Sequence, residues 1–301
     1  MSPRNRADLH VHSNFSNDGE LGMDEIVKKC LDNGVSILSV TDHNNVRGCK
    51  EGLTLCRDSG ISFIPGIEID CNYKGTDMHL LAYHIHWESK EVLELEAKSE
   101  QIIMEAVPVM IRNLAKAGIQ IDGEELMEKA KGKLPAPELF AEVLMGNPDY
   151  HRNPLLLPYL PGGDRSEMPY INFYLDYFAQ GKPAYVKMEL MDYRVALELV
   201  SRNGGLAVVA HPGLNFKGKE EQVAELLDLG ANGMEVFNNY HDMRQMEYFS
   251  TLSKSKGTWM TAGSDFHGKT KPLIDLGAYP IIESEQEALN KSIQFILNYE
   301  A

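Results

Sequence analysis

Short β-rich runs alternate with amphipathic helical stretches from Ala7 onward, and most of the helical stretches end at a glycine just before the next apolar run. Glycine at that point supplies the left-handed backbone conformation that ends a helix and turns the chain back into a strand. Repeated units of this kind predict parallel strands with helices outside them. We expect strands near residues 7–12, 35–41, 61–70, 76–83, 206–210, 232–237 and 258–263. Seven strands favour a barrel over a short open sheet.

The alternation stops between about residues 88 and 182, where helical spacing continues without intervening strands. Helices are predicted over residues 88–117, 122–131 and 137–145, followed by a Pro- and Gly-rich segment over 147–169. A helical block between two strands of a barrel is most simply a cap over one end. The pattern therefore predicts a barrel domain from residues 1–87 and 183–301, with an inserted helical cap domain over 88–182.

Composition narrows the possible partners. Among 301 residues, 44 acidic side chains outnumber 29 basic ones, which gives a formal net charge of -15. Sequence-independent binding of DNA, RNA or an anionic membrane needs a basic surface, so duplex nucleic acid and membranes are not expected partners. No apolar run approaches the roughly 20 residues that span a bilayer, and the first eight residues lack the apolar core of a signal peptide. We expect a cytoplasmic protein.

The four cysteines, Cys30, Cys49, Cys56 and Cys71, fall within one quarter of the chain. Their spacing fits neither a thiolate metal motif nor a small disulfide scaffold. We interpret them as reduced packing residues.

Metal-binding residue types gather at the ends of the predicted strands. His10 and His12 are two positions apart on a strand, so both side chains project from one face. Seven further residues of these types are placed on later predicted strands, at their ends or directly after them: Asp42, His43, Glu68, His79, His211, Asp265 and His267. Active sites of parallel barrels are built at the carboxyl ends of the strands. Imidazole and carboxylate without thiolate indicate zinc, manganese or iron in a hydrolytic site.

In order and along nearly the whole chain, these motifs resemble the polymerase and histidinol phosphatase (PHP) family. The matching motifs are His10-X-His12, Ser16-Asn17-Asp18-Gly19, Thr41-Asp42-His43, Gly66-Ile67-Glu68, His79, Ala210-His211-Pro212-Gly213 and Gly263-Ser264-Asp265-Phe266-His267. The resemblance implies a distorted (β/α)7, TIM-like barrel that carries three divalent ions, manganese, zinc or iron. The layout is most similar to stand-alone bacterial phosphoesterases with a helical insertion, including those that act on nucleoside 3′,5′-bisphosphates.

The resemblance also implies a ligand set for each ion. His10, His12, Glu68 and Asp265 would hold the first; Glu68, His79 and His211 the second; and Asp18, His43 and His267 the third. The family has its first-loop aspartate directly after the serine, whereas Asn17 intervenes in this chain. Asp18 is preferred because Asp-Gly-X-Leu continues the family pattern, with Asn17 as the alternative.

Charge suggests what such a site would do. Three divalent ions carry about +6 and their carboxylate ligands about -3, so the site would be locally positive and could bind a phosphate. A hydroxide between the first two ions would attack phosphorus, with Asp265 as proton acceptor. His241 is a candidate leaving-group donor or phosphate contact, or else a helix-start residue on the rim. Lys182 is a candidate for steering a second phosphate, or a solvated loop lysine.

Three polar residues close in sequence to the proposed ligands are not themselves proposed as ligands. We expect Asp42 to orient the His43 imidazole, because a ligating imidazole normally donates its other N–H to an acceptor. His84 and His86 are interpreted as structural, since the family pattern has no ligands there.

The expected function is hydrolysis of a small nucleotide-like or sugar-like phosphate ester. Hydrolysis of a cyclic phosphate diester is the alternative, and histidinol phosphate fits the helical insertion less well. A non-catalytic metal-binding domain would be indicated by lost ligands, and every ligand position is filled. Residues 134–140 lack the arginine of the Ser-Arg-X-His-Phe pattern expected in bisphosphate hydrolases. That guanidinium would bind a phosphate through two hydrogen bonds, and its absence removes one argument for a nucleotide substrate. The sequence therefore leaves the identity of the phosphate ester undecided.

Overall fold

A computed structural model describes residues 6–300, and within them nine strands form two hydrogen-bonded sheets. The strands are β1 (Arg6–Val11), β2 (Val35–Val40), β3 (Ser62–Phe63), β4 (Gly66–Tyr73), β5 (Thr76–Tyr83), β6 (Met191–Asp192), β7 (Leu206–Val209), β8 (Gly233–Phe237) and β9 (Trp259–Ala262). The first sheet has the order β1-β2-β3, and the second has the order β6-β4-β5-β7-β8-β9.

Helices connect most of these strands and fill the expected insertion. They are α1 (Met23–Asn33), α2 (Gly48–Asp58), α3 (Lys90–Lys116), α4 (Gly123–Ala130), α5 (Pro137–Gly146), α6 (Pro169–Phe173), α7 (Tyr193–Arg202), α8 (Pro212–Asn215), α9 (Val223–Asp228), α10 (Met243–Lys256) and α11 (Gln286–Leu297). Within residues 6–300, none of these helices combines the length and the apolar character that crossing a bilayer requires.

The strands form an α/β fold rich in parallel pairs, but the expected closed ring of seven parallel strands is absent from the described residues. Within residues 6–300, strand pairing between the two sheets is limited to isolated bridges, one between Val11 and Phe266 and one between His43 and Glu68. Strand β5 runs antiparallel to both β4 and β7. The barrel prediction is therefore corrected to two sheets that meet along a seam.

A tight hairpin explains the antiparallel strand. Lys74 and Gly75 connect β4 to β5, and both have positive φ angles, 49° and 83°. A two-residue loop of this type joins antiparallel strands, and glycine at its second position is typical of it. The glycine therefore indicated a hairpin, whereas the sequence analysis predicted parallel strands here. The strand expected over 61–70 is also divided: β3 pairs with β2, Ile64 and Pro65 belong to neither strand, and β4 starts in the other sheet.

The long insertion between β5 and β6 has an apolar core of its own. Its fully buried side chains include Leu114, Phe140 and Phe173, and they belong to a cluster separate from that of the strands. The first turns of α3 differ, because Val92 and Leu95 pack with the core of the strands. The insertion thus leaves the strand core partway along α3 and builds a second core before the chain returns to β6.

All four cysteines are buried and free of disulfides, which predicts slow thiol chemistry. Burial raises the pKa of Cys49 and of Cys56 to about 12, so these thiols stay protonated at pH 8. We expect the native protein to show no rapidly reacting thiol with Ellman's reagent, and four after denaturation. A fast-reacting thiol in the folded protein would contradict the packing role.

Candidate metal centre

The nine side chains proposed as ligands from the sequence converge in the structure, and we call this set the ligand cluster. It forms three overlapping groups: His10, His12, Glu68 and Asp265; Glu68, His79 and His211; and His12, Asp18, His43 and His267. Within each group the candidate ligand atoms lie within 4.8 Å of one another. A fourth group, His43, Asp70 and His79, adds a carboxylate that the sequence analysis did not propose.

Glu68 is at the centre of the cluster and is 1% exposed. Its Oε2 lies 3.1 Å from Nε2 of both His10 and His12. Its Oε1 lies 2.9 Å from Nδ1 of His79 and 3.1 Å from Nε2 of His211. One carboxylate therefore links two of the groups. Because of the hairpin, Glu68 lies within β4 rather than at the strand end where it was expected, and His79 lies on the following strand, β5, as expected.

A glycine lets the strands bring these side chains together. Gly263 follows β9, and a Cβ at this position would lie 2.3 Å from the His10 Cβ and 2.8 Å from Glu235 Oε1. Such distances are below any normal contact, so only a residue without a side chain allows β1 and β9 to approach in this way.

Two cluster residues have strained backbones. His211 and Asp265, just after β7 and β9, have φ angles of 23° and 57°, a region that residues other than glycine rarely occupy. Hydrogen bonds hold both: the His211 N–H donates to Glu235 Oε2 at 2.9 Å, and the Asp265 N–H donates to the His10 carbonyl at 2.8 Å. Backbone strain of this kind gathers at functional sites, where the surroundings enforce it.

Of the two residues offered for the third group, Asp18 lies in the cluster. Its Oδ2 is 3.0 Å from His267 Nε2 and 3.7 Å from His43 Nε2. Its Oδ1 accepts a hydrogen bond from the Ser16 hydroxyl at 2.8 Å. Asn17 instead lines a neighbouring cavity.

The donor atoms fit divalent ions. Nε2 of His12 and Nε2 of His267 are buried and form no hydrogen bond in the described structure, although carboxylate oxygens lie 3.1 Å and 3.0 Å away. Buried polar atoms are normally hydrogen-bonded. A cation bound between each of these ring nitrogens and the nearby carboxylate oxygen would give both atoms a partner. Imidazole and carboxylate donors without sulfur suit manganese, zinc or iron.

Several cluster imidazoles have a second partner on the ring nitrogen that faces away. The pairs are His10 Nδ1 with Glu235 Oε1 at 3.2 Å, His43 Nδ1 with Asp70 Oδ1 at 3.0 Å, and His211 Nδ1 with Asn215 Oδ1 at 2.7 Å. Such partners fix the ring orientation and the tautomer of a ligating histidine. None of the three partners was proposed from the sequence.

The expected partner of His43 was Asp42, and the structure corrects this. Asp42 instead accepts hydrogen bonds from the N–H and the hydroxyl of Ser13, both at 2.7 Å. Asp70 takes the orienting role. A signal was present, because Asp70 lies two residues after Glu68 on β4 and therefore projects from the same face.

The two oxygens of Asp265 have different surroundings. Oδ1 faces the cluster, 3.3 Å from His10 Nε2. Oδ2 accepts hydrogen bonds from Lys271 Nζ at 2.7 Å and from the Tyr240 hydroxyl at 2.5 Å. Lys271 is only 6% exposed. One oxygen of the expected proton acceptor is thus held by two side chains, neither of which was proposed from the sequence.

Electrostatics favour the metal-binding forms of Glu68, Asp265 and His12, whereas for His10 and His79 burial is outweighed by neighbouring carboxylates, which raise the pKa of each ring. Burial alone would raise the pKa of Asp265, but the Lys271 ammonium and the neighbouring imidazoles hold it well below its usual value. Burial likewise opposes ionisation of Glu68, and His10 and His79 outweigh it, so its pKa is also lowered. Burial lowers the pKa of His12 and favours the neutral ring. Ionised carboxylates and neutral imidazole are the forms that bind metal.

The structure does not bring His241 or Lys182 into the cluster. Nδ1 of His241 donates to the Val236 carbonyl at 2.8 Å, and Nε2 accepts from the Gly213 N–H at 2.8 Å. With both ring nitrogens bonded to backbone, this buried imidazole connects the loop after β7 to β8. Lys182 is exposed on a turn and forms no ion pair within residues 6–300.

His84 and His86 also lie outside the four candidate metal groups. His84 Nε2 is 2.7 Å from the Ile296 carbonyl of α11, a contact that agrees with a structural role.

Comparison with known proteins gives consistent matches. The family model of the PHP domain matches residues 8–229. A 5′-3′ exoribonuclease of Haemophilus influenzae is 27% identical over 280 residues, covering 89% of this chain and 95% of the relative. A 3′,5′-nucleoside bisphosphate phosphatase of Chromobacterium violaceum is 26% identical over 275 residues, covering 90% of each chain.

A solved structure from Bifidobacterium adolescentis, described as a metal-dependent phosphoesterase, has a similar fold. It aligns with a TM-score of 0.77 at 20% identity and covers 99% of this chain and 97% of its own.

Proposed function

The chain belongs to the PHP domain family, and on this premise we propose that it hydrolyses a small phosphate ester in a site that holds three divalent ions. The observation that carries the proposal is the overlap of three candidate metal groups, two of which share Glu68. Overlapping groups would place several ions within reach of one phosphate. The substrate class proposed is a nucleotide-like or sugar-like phosphate.

Within this proposal, the side chains of the cluster hold the ions and position the phosphate. Divalent ions, when bound, lower the pKa of a coordinated water and offset the negative charge of the phosphate. Glu68 and the surrounding imidazoles would hold them. Asp265 is the proposed proton acceptor, kept ionised by Lys271 and presenting Oδ1 to the cluster. His241 and Lys182 take no part, because one has both nitrogens bonded and the other lies in solvent.

We further propose that the insertion, residues 88–182, covers the site and selects the substrate. Glu138 at the start of α5 supports this, since it is 9% exposed and burial raises its pKa to about 7, with the charge of Asp18 adding to the shift. Lys133 also reaches the first loop, with Nζ 3.5 Å from the Gly19 carbonyl.

Similarity to an exoribonuclease supports a second candidate substrate, the end of a ribonucleotide chain. A single strand that enters by its end needs no broad basic surface, so the net charge of -15 does not oppose it. Cyclic phosphate diesters are a third candidate.

The test is a substrate screen with manganese-loaded protein. Substrates would be p-nitrophenyl phosphate, a nucleoside 3′,5′-bisphosphate, a cyclic phosphate diester and a short 5′-phosphorylated RNA. We expect hydrolysis that a chelator abolishes and manganese restores, and about three ions per chain, one for each overlapping group. Metal-loaded, folded protein without activity on any of these esters would contradict the proposal. Two ions per chain would correct the ion count alone.

A further inference from the structure

The proposed hydrolysis needs a proton donor for the leaving group. When the bond from phosphorus to the ester oxygen breaks, that oxygen leaves with the electron pair, and a basic alkoxide is helped by a positioned acid. His241, the candidate from the sequence, has both ring nitrogens bonded to backbone. Lys271 and Tyr240 lie beside the cluster, but both donate to Asp265 Oδ2. A suitable donor would be a group that is not already bonded within the protein.

One buried carboxyl of the insertion meets this condition. Glu138, the second residue of α5, is 9% exposed, and its side chain forms no hydrogen bond or ion pair with another of residues 6–300. Two other buried acids are engaged: Asp8 accepts from the Ser264 hydroxyl at 2.6 Å, and Glu235 accepts from the Asn238 amide at 3.0 Å. Buried polar groups are normally bonded, so a free one indicates a ligand or a catalytic role.

A contact before Glu138 brings this part of the insertion to the loop after β1. Lys133 Nζ lies 3.5 Å from the carbonyl of Gly19, the residue that follows Asp18. Asp18 belongs to the third candidate metal group. The segment that leads into α5 therefore lies against a loop of the ligand cluster.

A contact after Glu138 brings the same face of α5 to a second loop of the cluster. Glu142 lies four residues further along the helix, so its side chain projects from the face of Glu138. Lys269 Nζ lies 2.9 Å from Glu142 Oε1, and Lys269 is two residues beyond His267, another member of the third group. Glu138 is thus placed between two contacts that both reach loops of this group.

The electrostatic surroundings of Glu138 agree with this placement. Burial raises the pKa of the carboxyl to about 7, and the charge of Asp18 adds to the rise, whereas the charges of Lys271 and His43 act against it. All three neighbours belong to the cluster or to its surroundings. An acid whose pKa is near the working pH can both give up a proton and regain it.

We propose that Glu138 is the leaving-group acid, which donates its carboxyl proton to the ester oxygen as the bond to phosphorus breaks. The inference rests on the proposed phosphoesterase function. Water supplies the new oxygen of the phosphate and gives a proton to Asp265. The electron pair of the broken bond goes to the ester oxygen, and the proton of Glu138 turns that oxygen into the hydroxyl of the released alcohol. Exchange with solvent then returns both carboxyls to their starting states.

The positions of the two carboxyls suit this division of roles. The attacking and leaving oxygens lie roughly in line, on opposite sides of phosphorus. Asp265 belongs to the first candidate group, and Glu138 lies over loops of the third. A phosphate held between these groups can therefore have the proton acceptor on one side and the proton donor on the other.

The test measures hydrolysis of phenyl phosphates of similar size by manganese-loaded Glu138→Gln. The p-nitrophenolate ion leaves readily without a proton, whereas unsubstituted phenolate is more basic and gains from one. We expect kcat/KM to fall about 100- to 10,000-fold for phenyl phosphate, the usual contribution of a general acid, and less than about 10-fold for p-nitrophenyl phosphate. Bound manganese should not change, because Glu138 is in none of the candidate metal groups.

Two further variants serve as controls. Glu128→Gln makes the same chemical change at an exposed position of α4, elsewhere in the insertion, and should leave both rates unchanged. Glu138→Asp keeps a proton donor on a shorter side chain and should recover part of the activity on phenyl phosphate. Circular dichroism of each variant verifies that the fold is retained.

The outcomes separate this inference from the function on which it rests. An equal loss on every ester in Glu138→Gln, or a loss of bound ions, would overturn the acid role and assign Glu138 to support of the site. An unchanged preference between the esters would overturn it too, as would a wild-type rate that already falls steeply as the leaving group becomes more basic. Absence of hydrolysis of every ester by metal-loaded wild-type protein would instead remove the proposed function itself.

Discussion

Glu68→Gln is expected to lower phosphate ester hydrolysis by more than about 100-fold and to reduce the number of bound ions. Losing only an outer partner of a metal ligand already costs about 10–100-fold in affinity or activity. Glu68 has a larger role, because its two oxygens contact four imidazoles from two candidate groups. Glutamine keeps the size of the side chain but removes the negative charge that two cations would share.

The measurement is kcat together with elemental analysis of manganese in the same preparations. Glu247→Gln, at an exposed position of α10, makes the same chemical change away from the cluster and should retain activity and ions. Circular dichroism separates a lost site from a lost fold. A folded Glu68→Gln protein with a full complement of ions and near-normal turnover would refute the central role of this carboxylate.

Lys271→Met is expected to destabilise the protein by about 3–5 kcal/mol and to weaken ion binding, because breaking a buried ion pair leaves an uncompensated charge. The side chains of Lys271 and Asp265 are 8% and 4% exposed, and their ion pair is 2.7 Å long. Without the ammonium, Oδ2 of Asp265 keeps only the Tyr240 hydroxyl. The carboxylate can then rotate away from the orientation that presents Oδ1 to the cluster.

Urea unfolding of metal-free protein measures the stability change, and titration with manganese measures the affinity. Tyr240→Phe removes one neutral donor and should cost about 1–3 kcal/mol. Lys269→Met breaks an exposed pair with Glu142 and should cost about 1 kcal/mol or less. If Lys271→Met behaves like Lys269→Met in both measurements, Lys271 does not position Asp265.

The sequence was informative about the cluster because many of its residues lie on short strands or shortly after them, and along a strand the spacing determines which face a side chain projects from. His10 and His12 share a face of β1, and the structure brings both to Glu68. Asp70 could have been found by the same rule. Lys271 and Tyr240 could not, since both lie in loops and meet Asp265 only through the tertiary fold.

The fold was predictable as an alternation of strands and helices but not as a closed barrel. Glycine ends the helices as expected, for example Gly34 after α1 with φ of 71°. Glycine at position 75 instead forms the turn of a hairpin. The two glycines differ in what precedes them, because a helix precedes Gly34 and a strand precedes Gly75. Pairing between distant strands depends on such local details, so one overlooked hairpin changed the topology.

Strand pairing between the two sheets is limited to isolated bridges within residues 6–300, and this has a consequence for protein turnover. The first sheet contributes His10 and the second contributes Glu68, His79 and His211, so bound ions would connect the sheets across the seam. Ligands that bind only the folded state stabilise it by mass action. Metal binding would therefore slow proteolysis of the protein as well as activate it.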